Sequence, residues 1–386
     1  MKKDFFSQKI TRRNFCKISL GFLTAIAVSP FLLDFLKKTA RAQGGGYGFI
    51  YKKEASFYEK IDSETVNCHL CPRDCRLKNG MMGFCKARKA EKGKLYSLAY
   101  ANPTAAHVDP IEKKPLFHFL PGTNAFSIAV AGCNFRCKNC QNWQISQFSP
   151  QETNNIYLPP EAAVETAFKY NCPTIAYTYT EPSIFYEYMF DTGVIARKRG
   201  VKNIYHSNGS LNPLPVSELS ELLDGANIDL KGFSQDFYSR IAQGYLNTVL
   251  ETMTILKKNN VHLEITNLII PTFNDDKKVI RKMCDWIKKE LGSDTPLHFS
   301  RFHPSYQLKN LPPTPLSVLE EAHSIAKECG LQYVYIGNVA SHKFENTYCH
   351  NCNKLIIGRM GYIILENNIK DGKCKFCHSK IPGVWH

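Results

Sequence analysis

The stretch "GCNFRCKNCQN" places Cys133, Cys137 and Cys140 at CxxxCxxC spacing in a single turn. Thiolates so close in sequence can grip one metal centre from one loop. No fourth cysteine lies near them, whereas the chain's other cysteine groups come in fours. Three thiolates on a four-iron cubane leave one iron without a protein ligand, and an open coordination position is where a metal site does chemistry.

Eleven of the fifteen cysteines fall into three groups. "YCHNCNKLIIGRMGYIILENNIKDGKCKFC" sets Cys349 and Cys352 against Cys374 and Cys377, two CxxC turns that together complete a tetrahedral site. The apolar "LIIGRMGYIIL" between them supplies short strands, so a zinc-ribbon-like module with structural Zn2+ is expected. "CHLCPRDCRLKNGMMGFC" gathers Cys68, Cys71, Cys75 and Cys85, which suit either Zn2+ or an auxiliary iron-sulfur cluster; spacing alone does not separate the two. Cys16, Cys172, Cys284 and Cys329 stand alone in apolar or helical contexts, where a free cysteine behaves as a small hydrophobe.

The elements that must position the central loop read clearly. From Ala125 onward, apolar strand-like runs ("AFSIAVAG", "TIAYTYT", "NIYHSNG", "ANIDLKG", "HLEITNLIIP", "LHFSRFHP", "YVYIGNV") alternate with helical ones. "EAAVETAFKY", "KKVIRKMCDWIKKEL" and "LSVLEEAHSIAKE" are helical, and "SQDFYSRIAQGYLNTVLETMTILKK" reads as one helical run. Such alternation predicts an α/β fold, an open (partial) parallel βα barrel whose chemistry gathers at the C-terminal ends of its strands.

CxxxCxxC directly after the apolar "AFSIAVAGC" resembles the signature of radical S-adenosylmethionine (SAM) enzymes. With "HVDPIEKKPLFHFLPG", "GMMGFC", "YTYTEP", "RFHP" and "YIGNV...ENTYC...IPGVW", the chain resembles, over about residues 60 to 386, the radical SAM member of the AmmeMemoRadiSam system, which is related to pyruvate formate-lyase activating enzymes. The resemblance implies a [4Fe-4S] cluster on Cys133, Cys137 and Cys140, its open iron chelated by the methionine end of SAM. One electron from the reduced cluster would break a C-S bond of SAM, giving methionine and a 5′-deoxyadenosyl radical that abstracts hydrogen from a protein or peptide substrate. A flavodoxin or ferredoxin would donate the electron.

The same resemblance assigns roles at strand ends. Glu181 in "YTYTEP" would hold the SAM ammonium; Asp229 and Lys231 in "IDLKG" would hold the ribose hydroxyls and carboxylate. Asn208 in "SNG" and His303 in "RFHP" complete the expected cofactor-binding set. One position departs from the family: the aromatic residue usual before the third cysteine is Asn139 here, so Phe135 or Trp143 would have to face the adenine.

The N-terminus carries a different signal. Arg12-Arg13, the apolar run from Ile18 to Leu33 and the small-x-small "ARAQ" at Ala40 to Gln43 resemble a twin-arginine leader, which implies a periplasmic or extracytoplasmic protein; a cytoplasmic location is the alternative. A membrane anchor would have to bury Pro30 and Asp34, so membrane contact is expected only through an uncleaved leader. An exported iron-sulfur and zinc protein used for electron transfer or partner binding is therefore the competing function. Retention of Glu181, Asp229 and Lys231 argues against it.

The formal charge of +15 does not by itself imply nucleic acid. Residues 1–42 hold nine Lys/Arg against two Asp/Glu, and metal-bound thiolates would offset much of what remains. No Lys/Arg stripe with interleaved aromatics stands out, so no nucleic-acid partner is expected. The expected organisation is a leader over 1–42, a glycine-rich linker over 43–60, an N-terminal cysteine-rich module over 61–122, the core over 123–342 and the zinc-ribbon-like module over 343–386.

Overall fold

The computed structural model describes residues 45–339 and 343–386; the leader lies outside them. Eight strands form the central sheet: Ala105–Pro110 (β1), Asn124–Ala129 (β2), Thr174–Tyr177 (β3), Lys202–Ser207 (β4), Gly225–Asp229 (β5), His262–Ile269 (β6), Leu297–Arg301 (β7) and Val334–Gly337 (β8). Neighbours follow chain order, and β2 to β8 pair in parallel. β1 and β8 stay at opposite edges, so the barrel is open, as the alternation predicts. β3, "TIAY", is buried at every residue, the pattern of a parallel strand covered on both faces.

Helices cover the outer face: Pro160–Lys169 (α1), Tyr186–Lys198 (α2), Pro213–Ser220 (α3), Leu246–Lys258 (α4), Lys277–Leu291 (α5) and Leu316–Glu328 (α6). α5 shows why. Its buried Ile280, Met283, Cys284, Ile287 and Leu291 recur at three- and four-residue spacing, so they share one face. Asp276 caps its start by accepting from the Val279 N–H at 2.9 Å.

Three expectations need correction. The segment assigned to a linker over 43–60 is structured from residue 45: Gly46–Tyr47 pairs with Asn154–Asn155, and Tyr51–Glu54 pairs with Lys94–Tyr100. A Cβ on Gly45 would lie 2.7 Å from the Asn155 carbonyl oxygen, so a glycine there permits close strand contact rather than flexibility. The stretch assigned to the N-terminal module includes β1, which pairs antiparallel with β2 and so extends the barrel sheet. Finally, the run read as one helix splits into a short helix Gln235–Phe237, a π-helical turn Tyr238–Ala242 and α4, with Gln243 left-handed at φ 54 between them.

The loop from Ile111 to Thr123 plugs the N-terminal end of the barrel. Its Phe119 and Leu120 cluster with Ala125 of β2, Ala176 of β3 and Ile204 of β4. The C-terminal tail seals this plug, because Leu120 N–H donates to the Val384 carbonyl at 2.7 Å and Val384 N–H donates to that of His118 at 2.8 Å.

Candidate active site

The cysteine loop leaves β2 at Gly132, whose φ is +112 and where a Cβ would meet the Cys85 carbonyl oxygen at 2.6 Å; only glycine fits both demands. Backbone bonds then shape it. Arg136 N–H donates to the Ala242 carbonyl at 3.1 Å and Lys138 N–H to that of Ile241 at 3.0 Å. These acceptors are free because the helix is interrupted there, and Gly244 gives Phe135 room, since a Cβ on it would sit 2.2 Å from the ring. The broken helix is thus the cradle of the cysteine loop.

Cys133, Cys137 and Cys140 face a cavity of about 450 Å³ at the C-terminal ends of the strands. Glu181, Asn208, Asp229 and Lys231 line the same cavity. Burial holds the Cys133 thiol well above its usual range and pushes that of Cys137 up to about 12, so a thiolate at either position needs a metal cation beside it.

Glu181 is buried, with most of its bonds on Oε1 and only the Asn208 N–H on Oε2. Its carboxylate accepts from Ser183 N–H at 2.9 Å, Ser183 Oγ at 2.6 Å, Ser207 Oγ at 2.7 Å and Asn208 N–H at 2.8 Å. It therefore locks the end of β3 to that of β4 while turning its charge to the cavity. Asn208 reaches on to the cysteine loop, its Nδ2 donating to Asn134 Oδ1 at 2.8 Å and lying 3.8 Å from Cys133 Sγ. Asp229 Oδ2 accepts from Lys231 Nζ at 2.9 Å, with His206 Nε2 at 3.5 Å from Oδ1. Burial would raise the Asp229 carboxyl, but Lys231 and His206 together outweigh it and hold the acid well below its usual range.

The structure does not bring His303 into this group. It lies exposed, outside the cavity lining, because its loop turns away to brace the cysteine loop from outside. Gln307 N–H donates to the Lys138 carbonyl at 2.9 Å, and Tyr306 stacks on Trp143 at 5.3 Å. Trp143 is thereby committed, and of the two aromatic candidates Phe135 lines the cavity, as does Asn139.

A second wall was not foreseen. Lys113, Lys114 and Tyr179 line the cavity, and Asp109 binds all three: Lys113 Nζ at 2.8 Å, Lys114 Nζ at 2.6 Å and the Tyr179 hydroxyl. Burial pulls Lys114 down to about 8 although Asp109 opposes it. Tyr179 holds φ 64, a strained conformation for a bulky residue, secured by Asn142 Nδ2 donating to its carbonyl at 2.6 Å. The signal was present in "DPIEKKP", where two lysines follow an aspartate at four- and five-residue spacing.

The profile of the Radical SAM superfamily matches residues 127–284, which include the cysteine loop, Glu181, Asn208, Asp229 and Lys231. An uncharacterised protein of Methanocaldococcus jannaschii is 49% identical over 336 residues, covering 86% of this chain and 99% of the relative. The chain belongs to the radical SAM superfamily. A second uncharacterised protein of that organism is 22% identical over 281 residues, covering 70% of this chain and 77% of its own. Among solved structures, a radical SAM methyltransferase from Sphaerobacter thermophilus shares 10% identity, with a TM-score of 0.45 and coverage of 79% and 80% of the two chains. A domain of pyruvate-formate lyase-activating enzyme from Bacteroides vulgatus shares 16% identity, with a TM-score of 0.38 and coverage of 42% and 98%.

Radical SAM membership implies a [4Fe-4S] cluster and SAM, and the donors fit both. Three thiols converge where no other cysteine lines the cavity, and its volume lies within the range of about 300 to 1,000 Å³ usual for small-ligand sites. The chain also carries a separate group of thiols beyond the barrel strands. Cys349, Cys352, Cys374 and Cys377 bring their sulfurs within 4.8 Å of one another, with Cys349–Cys377 at 3.6 Å and Cys352–Cys374 at 3.8 Å. A single ion with four metal-sulfur bonds of about 2.3 Å at tetrahedral angles sets sulfur-sulfur distances of about 3.8 Å.

Proposed function

We propose that this radical SAM enzyme holds a [4Fe-4S] cluster on Cys133, Cys137 and Cys140 and reductively cleaves SAM to start hydrogen abstraction from a protein or peptide substrate. The observation that carries the reading is the convergence of three thiols with Glu181, Asn208, Asp229 and Lys231 on one cavity. When bound, the cluster supplies one electron to the SAM sulfonium, whose C-S bond breaks to give methionine and a 5′-deoxyadenosyl radical.

The chain's own residues bind and orient. Glu181 presents negative charge to the ammonium of SAM while ordering the loop that carries it. Asp229, kept ionised by Lys231, accepts the ribose hydroxyls, and Lys231 offers its ammonium to the carboxylate. Phe135 and Tyr179 give the cavity apolar faces for adenine. Lys113 and Lys114, sharing the single carboxylate of Asp109, leave net positive charge in the cavity lining, which suits an acidic or carboxylate-bearing group of the substrate.

The test is anaerobic reconstitution with iron and sulfide, then dithionite and SAM. Formation of 5′-deoxyadenosine is expected; its absence from protein shown to contain the cluster would end this reading. Asp229→Asn keeps the shape but loses the charge, so SAM affinity, read by equilibrium dialysis, should fall about tenfold or more.

The C-terminal four-thiolate group is proposed to hold structural Zn2+, which packs it against the barrel through Phe117, Tyr333, Tyr335 and Ile381. Cys374→Ser should release about one zinc per chain and lower the thermal midpoint by roughly 5 °C or more. Unchanged zinc content by mass spectrometry would refute the assignment.

A further inference from the structure

Cys68, Cys71, Cys75 and Cys85 form a site unlike the C-terminal one. Cys68 and Cys75 face each other across the strands Thr65–Cys68 and Cys75–Lys78, Cys71 sits in the turn between them, and Cys85 closes the group. All four line one cavity with Leu70, Leu77 and Ile184. Among the described residues, the C-terminal group is the one in which three or more ligand atoms gather within 4.8 Å; the sulfurs of the N-terminal group are spread wider around their cavity. A single ion draws four sulfurs together, whereas a four-iron cubane holds them apart because each thiolate binds a different iron.

A second feature agrees. Arg88 lines this cavity at 1% exposure, its Nη1 lies 3.8 Å from Cys68 Sγ, and its buried Nε has no hydrogen-bond partner among the described residues. Its Nη groups are held by the Ser56 carbonyl at 2.8 Å and by Glu187, which leaves Nε as the unpartnered donor. Zinc-bound thiolates accept such donors too, but a cubane adds inorganic sulfides as further acceptors, and donors of this kind are how a protein adjusts a cluster's potential.

We propose that these four cysteines hold an auxiliary [4Fe-4S] cluster, electronically joined to the Cys133 loop through the Cys85 carbonyl. That carbonyl accepts from Cys133 N–H at 3.2 Å, so one hydrogen bond separates a ligand of one centre from a ligand of the other. Arg73 adds a clamp, lining the cavity and donating from Nε to the Asn134 carbonyl at 3.1 Å. A one-electron donor protein of the flavodoxin or ferredoxin class, or dithionite, reduces the auxiliary cluster, which returns to its oxidised state as the electron moves to the Cys133 centre; no atom is transferred. The joining, though not the cluster itself, rests on the function proposed above.

The full chain carrying Cys133→Ala, Cys137→Ala and Cys140→Ala tests this after anaerobic reconstitution. Iron, acid-labile sulfide and zinc are counted, and the reduced sample is examined by electron paramagnetic resonance. The expected result is roughly eight iron in the wild type and roughly four iron with four sulfide in the triple variant, which keeps a reducible cluster. Four iron in the wild type and none in the triple variant, with two zinc in both, overturns the auxiliary cluster and leaves the proposed function standing. No iron in either overturns both. Should the triple variant not fold, Cys71→Ala with Cys75→Ala reads the same question: iron falling from eight to four supports the proposal, and iron constant at four sinks it.

Discussion

Alanine at Cys137 is expected to abolish 5′-deoxyadenosine formation, a loss of at least about a thousandfold that takes activity to background. Cys137 is the most enclosed of the three thiols, its sulfur 3.7 Å from the Ala242 carbonyl and its side chain 8% exposed. Two remaining thiolates cannot hold three corners of a cubane, so no open iron is left to orient SAM. The loop should survive, because Arg136 and Lys138 hold it through backbone N–H groups that the substitution leaves alone. Circular dichroism and zinc content should therefore match the wild type while the cleavage assay reads zero. Retained cleavage with iron still bound would show that Cys137 is not a ligand and would remove the basis of the three-thiolate reading. Asn139→Ala is the contrasting case, since Asn139 lines the cavity without being a thiolate donor, and it should alter SAM affinity while leaving iron content unchanged.

What the sequence disclosed and what it withheld follow a physical divide. Metal-ligand spacing and strand-helix alternation are local, so the three cysteine groups and seven parallel strands could be read in order, and Glu181, Asn208, Asp229 and Lys231 fell at strand ends where they line one cavity. His303 has the same local signature. Its side chain leaves the cavity because the loop beyond β7 is bound to Lys138 and Trp143, residues far away in sequence. The split at Gln243 had a local signal in Gly244, a poor helix former, but its use is tertiary: the ring of Phe135 fills the space that a side chain at 244 would take. Antiparallel β1 lies before the strand-helix alternation that begins at Ala125, so that pattern could not announce its pairing with β2. Both groups of four cysteines read as metal sites, and spacing left the metal at Cys68, Cys71, Cys75 and Cys85 open. They differ in how far apart the fold holds their sulfurs, which no spacing rule encodes.

Glutamine at Glu264 is expected to destabilise the protein by about 3 to 5 kcal/mol, the usual result of breaking a buried charged network by removing one partner. Glu264, at the N-terminal end of β6, ties the plug loop to the barrel. Its carboxylate accepts from Phe117 N–H at 3.0 Å, His118 N–H at 2.7 Å, His262 Nε2 at 3.0 Å and His298 Nε2 at 2.7 Å. Four donors meet four acceptor sites, whereas a glutamine amide would turn two donors of its own toward them. Burial alone would raise the Glu264 carboxyl, but the two histidines and their bonds outweigh it and hold the acid well below its usual range. His118 adds a second pH dependence. Arg359 donates to Thr347 Oγ1, which shares a hydrogen bond with the Tyr335 hydroxyl at 2.9 Å. His118 Nδ1–H donates to the Pro382 carbonyl at 2.7 Å, and in the neutral imidazole Nε2 accepts from Tyr335 at 2.6 Å. Burial accordingly brings His118 down to about 4. Both groups have depressed folded values, so both stabilise the fold at neutral pH and lose that contribution as pH falls. For His118 the loss runs from about 6.5 down to about 4 and is worth about 3 kcal/mol; for Glu264 it begins below about 4.3. Urea unfolding midpoints measured between pH 7.5 and 5 should fall in the wild type and fall less steeply in His118→Gln. Parallel pH slopes in the two proteins would show that His118 does not titrate on unfolding, and a Glu264→Gln midpoint equal to the wild type would show that the plug is held by its apolar contacts alone.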